Sequence, residues 1–234
     1  MSKAFSSFPW KNGKIADLSD KFPSYLSAWD LGLQLDHADT HYIYCYEGST
    51  ILNWEGISFR LQTGMYACLP GVGSVVGGRG IVVSRKGYRG MFSIGGPAEH
   101  EGRLKYIDGC TDSLLISPVM LGDPCLNLLY FPPGIDQTAH THPSDRIGIV
   151  MSGKGQCVAI NDGVEESIPL EAGMIWVIHT DGVHKFQTPH GEHLRVLAYH
   201  PDSDYGPTHQ FHPMLNRTIV DGISAKDLPA IQTK

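Results

Sequence analysis

The stretch that most constrains this chain runs from Gly134 to Gly153 and carries His140 and His142 one residue apart. Successive side chains on an extended backbone point to opposite faces, so a His-x-His pair shares a face only where the chain is extended. Pro143 and Ser144 then turn the chain. Arg146 to Met151 reads as the next strand, closing at Ser152-Gly153. Two histidines are thereby aimed together beside a strand that also carries Arg146.

The spacing resembles the first motif of the cupin superfamily: Gly, five residues, His-x-His, three or four residues, Glu, six residues, Gly. Gly134, His140, His142 and Gly153 fill their places, and Arg146 stands where the motif has Glu. The second cupin motif is matched in part. Gly173 is followed after five residues by His179 in place of Pro, Asp181 stands in place of Gly, His184 takes the third ligand place, and Thr188 replaces Asn. The resemblance implies an all-β fold of jelly-roll (double-stranded β-helix) barrels. It also implies that His140, His142 and His184 ligate one divalent transition metal, Fe(II) foremost, with Zn, Ni, Mn or Cu as alternatives.

Composition narrows the setting. At 234 residues the chain can bury a sizeable core, and with 41% hydrophobic and 18% charged residues it is neither a disordered tail nor a membrane protein. A formal charge of −6 without a basic cluster argues against nucleic acid as a partner. No apolar run approaches a bilayer span, and the N-terminus lacks the order of a secretion signal, so a soluble cytoplasmic protein is expected. Five cysteines, Cys45, Cys68, Cys110, Cys125 and Cys157, lack metal-ligand spacing and read as buried reduced thiols; Cys157 lies on a strand that can face the barrel interior.

Short β-rich runs separated by glycine continue through most of the chain: His41–Tyr46, Ile57–Leu61, Met65–Leu69, Gly80–Ser84, Arg89–Ile94 and, after a strand at Leu114–Ser117, Cys125–Phe131, Gln137–His142, Ile147–Met151, Gly155–Ile160, Glu166–Leu170, Met174–Ile178, Val183–Gln187 and Leu194–His200. Such spacing predicts a sandwich or barrel. One short helix is predicted at Ser24–Trp29. Comparing the halves suggests a repeat: Tyr46-Glu47-Gly48 ends a strand as Met151-Ser152-Gly153 does, and Gly64 with five residues to Pro70 mirrors Gly173 with five residues to His179. Val75 stands where the repeat would place the ligand histidine, and no His-x-His precedes Gly48, although His37 and His41 lie nearby. The chain thus resembles a bicupin. Residues 1–30 are an arm, 31–98 a degenerate cupin barrel, 99–124 a linker, 125–200 the barrel with the metal site, and 201–234 an extension.

Arg146 sets the expected substrate. A guanidinium near three neutral imidazoles and a cation repels the metal, whereas a carboxylate that also takes a hydrogen bond from Arg146 reverses that penalty. Thiol dioxygenases of the cupin type pair a three-histidine iron site with an arginine that holds the substrate carboxylate. The resemblance therefore implies a dioxygenase-like enzyme acting on a small anionic molecule, with Arg146 as clamp. Metal-dependent isomerase or lyase chemistry and a non-catalytic, metal-free ligand-binding or sensing barrel are the alternatives. The alternative role for Arg146 is to turn away, or to pair with Asp145 or Asp181, and only brace the barrel mouth; without a metal it would centre an anion-binding pocket. His179 is a candidate acid or base at the rim, Asp181 a candidate partner for a ligand imidazole, and Gln156, Tyr199 and Trp176 candidate cavity residues. The His-, Asp- and Pro-rich run from Ala198 to Pro213 reads as an irregular lid or subunit contact, and exposed edge strands suggest a homodimer.

Overall fold

The computed structural model describes residues 3–18, 21–35, 38–120, 122–203, 219–220, 222–224 and 227–228. His37 and the run from Asp204 to Pro213 lie outside them. In chain order the strands are β1 (Phe5–Phe8), β2 (Gly13–Leu18), β3 (Ser24–Leu35), β4 (Thr40–Glu47), β5 (Ser49–Trp54), β6 (Ile57–Gln62), β7 (Tyr66–Pro70), β8 (Gly73–Arg85), β9 (Ser93–Gly95), β10 (Leu104–Lys105), β11 (Thr111–Ile116), β12 (Cys125–Phe131), β13 (Arg146–Asn161), β14 (Val164–Glu171), β15 (Ile175–Ile178), β16 (His184–Gln187) and β17 (Leu194–His200). A small ribbon, β18 (Ile219–Val220) and β19 (Ile223–Ser224), follows.

Among the described residues β2 to β9 form an eight-stranded sheet, and β1 with β10 to β17 a nine-stranded one. The protein is all-β, and the two sheets are consistent with two jelly-roll barrels. Side-chain parity distributes the core into three parts. In β4, Ile43 and Cys45 point into the core of the eight-stranded sheet with Trp29, Leu52, Leu61 and Val75. In β13, Val150 and Cys157 point into that of the nine-stranded sheet with Phe131, Trp176 and Phe186. The opposite faces, Tyr42 and Tyr44 on β4 and Ile147 and Ile149 on β13, meet between the sheets together with Leu26, Val83, Val177 and Tyr199. All five cysteines are buried free thiols.

The repeat is visible in the hydrogen-bond register. Tyr42 lies opposite Cys68 and Val83, as Ile147 lies opposite Val177 and Tyr199. Gly64 donates to the Cys45 carbonyl at 2.8 Å, and Gly173 to that of Val150 at 2.8 Å. Gly64 and Gly173 have φ of 86° and 88°, a conformation costly for other residues. In this alignment Val75, wholly buried, occupies the place of His184, and His41, hydrogen-bonded through Nδ1 to Ser84 Oγ at 2.7 Å, the place of Arg146.

Four expectations differ. Of the strand expected at Arg89–Ile94 only Ser93 and Ile94 are extended and paired, in β9. Ser24–Trp29 is not a helix but the start of β3. Leu26 and Ala28 face the layer between the sheets while Trp29 fills the first barrel, so both faces are buried and the run lacks a period that separates helix from strand. The expected strands Ile147–Met151 and Gly155–Ile160 are one, β13, bent by a register shift between Val150 and Ser152 beside Gly153. Its first half pairs with β15 and β17, its second with β14 and β16. Gln137–His142 is no continuous strand. Its backbone meets β16 at Gln137, whose N–H donates to the Phe186 carbonyl at 3.1 Å, and at His140, an isolated bridge to His184; between them the Thr138 N–H leaves the ladder and donates to the Asp108 carboxylate at 2.6 Å. At the other end of the chain β1 adds an edge to the second barrel, Phe5 opposite Ile178.

Candidate metal centre

His140 and His184 are directly opposite each other. Each donates its backbone N–H to the other's carbonyl, at 3.0 and 3.1 Å, the closed pair of an antiparallel ladder. His142 follows two residues on, its carbonyl held by the Asp181 N–H at 2.8 Å. The three imidazoles converge, with ring centroids 4.6, 5.0 and 5.2 Å apart, and one ligand atom from each lies within 4.8 Å of the others.

Hydrogen bonds fix two of the three tautomers. His140 Nδ1 lies 2.8 Å from the Thr138 carbonyl and His184 Nδ1 2.8 Å from that of Gly182. A carbonyl only accepts, so each Nδ1 carries the proton and each Nε2 keeps a lone pair. His184 Nε2 is buried and has no hydrogen-bond partner. A buried lone pair left open in this way is costly unless something fills it. Burial, followed by the Arg146 cation and then the other two rings, pushes His142 down to about 2. Burial brings His184 to about 4 against the Gly182 hydrogen bond. Both rings are neutral at pH 7, the form that ligates a metal. The donor set therefore fits a divalent transition metal held by three imidazoles.

Arg146 enters the barrel. It is 2% exposed, and its Nη1 donates to the Ser144 carbonyl at 3.0 Å and Ser144 Oγ at 2.7 Å. The Asp145 carboxylate is taken by Thr180, whose N–H and hydroxyl donate to it at 2.8 and 2.9 Å. Two connected spaces meet at His142, Arg146 and His200. The inner one, about 20 Å³, is walled by the three histidines, Trp176 and Phe186, and the outer one, about 140 Å³, reaches Asp112 and Asn127.

The remaining sequence candidates fall elsewhere. His179 turns toward β1, its Nε2 2.9 Å from Ser6 Oγ, and lines neither space. Burial lowers its pKa, with Asp145 opposing. The orienting partners of the ligand rings are the Thr138 and Gly182 carbonyls; Asp181 contributes its backbone. Gln156 binds Gln187 at 2.5 Å on an outer surface groove. Tyr199 packs on Tyr42 between the sheets, 4.8 Å between centroids, whereas Trp176 does line the inner space. Sequence reading missed His200, Asp112 and Asn127. His200 was legible by parity, two residues beyond the inward Ala198 of β17.

Comparison with known proteins places this geometry. Residues 127–200 match the Cupin domain family model. Among solved structures, the putative glyoxylate-induced protein from Pseudomonas aeruginosa superposes with a TM-score of 0.62 at 17% identity, covering 85% of this chain and 79% of that one. The chain folds as a cupin. Oxalate decarboxylase from Bacillus subtilis, described with Mn(II) centres, shares that cupin fold with a TM-score of 0.56 at 14% identity over 88% of this chain and 79% of the other. Salicylate 1,2-dioxygenase from Pseudoaminobacter salicylatoxidans, in complex with gentisate, does so with a TM-score of 0.57 at 11% identity over 77% and 69%. No curated protein matches the sequence. At these identities the likeness shows the fold and a cupin domain. Among the described residues no helix is long and apolar enough to cross a membrane.

Proposed function

We propose that this chain is a cytoplasmic, homodimeric bicupin enzyme whose second barrel holds one divalent metal on His140, His142 and His184 and acts on a small carboxylate clamped by Arg146. Residues 31–98 form the degenerate barrel and 125–200 the equipped one. The observation that carries the reading is the open, buried Nε2 of His184 beside the converging rings of His140 and His142. When bound, Fe(II) supplies a Lewis acid with open positions for substrate and oxygen, the basis for a dioxygenase-like activity.

The chain's own residues do the rest. The Thr138 and Gly182 carbonyls hold two rings in the ligating tautomer. Arg146, anchored on Ser144, offers its guanidinium to the substrate carboxylate and keeps it oriented. Trp176 and Phe186 exclude water from the inner space.

The test is the metal content of untagged protein beside His184→Ala, with circular dichroism showing both folded. About one transition-metal ion per chain is expected, with affinity reduced roughly a hundredfold or more in the variant, beyond what loss of an outer-shell partner costs. Oxygen uptake with small carboxylates, abolished together with carboxylate binding in Arg146→Gln, then separates oxygenase chemistry from isomerase or lyase turnover. A wild type that stays empty after anaerobic incubation with Fe(II), Mn(II), Ni(II) or Zn(II) removes the metalloenzyme and leaves a metal-free anion pocket.

A further inference from the structure

The outer space is built at its far wall as carefully as at the metal side. Asp112 on β11 and Asn127 on β12 are 8% and 6% exposed. They lie diagonally across the β11–β12 ladder, where Asp112 faces Leu129 and Asn127 faces Leu114. Asn127 Nδ2 donates to both Asp112 oxygens, at 3.0 and 2.9 Å. This bond sets the amide's orientation, since the reverse would press its oxygen against a carboxylate. Asn127 Oδ1 is consequently buried without a hydrogen-bond partner. Asp112 precedes the segment matched by the family model, so the match says nothing about this wall.

The chamber thus has two unlike ends. Arg146 offers only donors, whereas the Asp112 carboxylate and Asn127 Oδ1 offer only acceptors. Leu104 and Leu114 lie along the same lining. At about 140 Å³ the space is well below the roughly 300–1,000 Å³ of sites for drug-sized ligands, so its occupant is small.

We propose that Asp112 and Asn127 are the specificity-determining wall of the site, and that the substrate is a small monocarboxylate whose other end carries N–H or O–H donors: an ammonium, an amide or a hydroxyl. This rests on the reading of Arg146 as the carboxylate clamp. A dicarboxylate is rejected, because its second anion meets Asp112. Burial pushes the Asp112 carboxyl up to about 6 despite the Asn127 hydrogen bond, which still leaves it an anion at pH 7.5. The other charged and titratable groups lining its chamber are Arg146, Lys105 at the rim, His142 and His200, both held neutral chiefly by burial, and the Tyr106 phenol and Cys125 thiol.

Calorimetric titration of the Zn(II)-loaded full chain at pH 7.5 tests the wall with ligands matched in size: butyrate, 3-hydroxypropionate, β-alanine, malonamate and malonate. At least one donor-ended acid should bind roughly tenfold or more tighter than butyrate, with malonate weakest. Asp112→Asn, which can pair with Asn127, should abolish any preference for ammonium and relieve the exclusion of malonate. Asn127→Leu should weaken the donor-ended acids and spare butyrate. Butyrate or malonate binding as tightly as every donor-ended acid, or a preference unmoved by both substitutions, overturns the assignment. Ethylammonium and acetamide separate the two readings. If carboxylates fail while these bind in an Asp112-dependent way, the wall stands and the Arg146 clamp falls. If no probe binds, the wall is wrong.

Discussion

Asp112→Asn should make the protein's stability less sensitive to pH, and the size of the change follows from burial. In the unfolded chain this carboxyl titrates near 3.8, and in the fold burial pushes it up to about 6, with the Asn127 hydrogen bond opposing. Between those values the folded protein holds a proton that the unfolded chain has lost, so stability falls as pH rises from about 4 to about 6 and is level above. A shift of about two pH units at about 1.36 kcal/mol each amounts to about 3 kcal/mol. The group is only 8% exposed, so solvent screening takes little of it. The assay is urea unfolding of metal-free wild type and Asp112→Asn, with chelator, at pH 4 and pH 7.5. Other titrating groups are common to both proteins and cancel in the difference between differences. Because the unfolded carboxyl is already partly ionised at pH 4, the variant should gain about 2.4 kcal/mol on the wild type between the two pH values, whatever fixed cost the lost carboxylate carries. A difference between the proteins that is the same at both pH values refutes a buried ionised Asp112.

Gly148 sits on β13 between Arg146 and Val150, where a β-carbon would stand 1.8 Å from the Leu197 carbonyl oxygen and 2.6 Å from Trp176 Cζ2. Since the nearer atom is backbone of a paired strand, Gly148→Ala should cost about 3 kcal/mol or more and lower the thermal midpoint by several degrees in calorimetry. The five buried thiols should resist Ellman's reagent in the native protein and all react after unfolding; burial pushes Cys110 up to about 11 and Cys68 up to about 12. Fast native labelling of any of them contradicts the packing.

What the sequence made legible is what depends on local spacing. His140 and His142 lie one residue apart, so extended-chain parity was enough to put them on one face, whereas Arg146 and His184 were placed by the spacing of the cupin motifs they resemble. The repeat was legible for the same reason, because Gly64 and Gly173 hold turns that other residues enter at a cost. Asp112 and Asn127 were not, since their pairing depends on two strands meeting across a connection of ordinary composition. His200 ends the strand expected at Leu194–His200, and what went unread was that its parity turns it inward with Ala198. The helix expected at Ser24–Trp29 failed because a strand buried on both faces shows no alternation. The strand expected at Gln137–His142 failed because Asp108, from elsewhere in the chain, takes part of its backbone.

The edge strand β1 bears on how the protein is made. Ser6 and His179, which meet through their side chains, are 173 residues apart. Strand β1 therefore cannot find its partner until β15 and the loop before His184, which follow it in the chain, have been synthesised. Until then its backbone donors and acceptors lack their native partners, and the segment that braces the ligand loop is itself waiting for that loop. A fragment beginning at β10 would lack this strand from the outset and expose the edge of β15, so the half of the chain that carries the histidine cluster is not a detachable module.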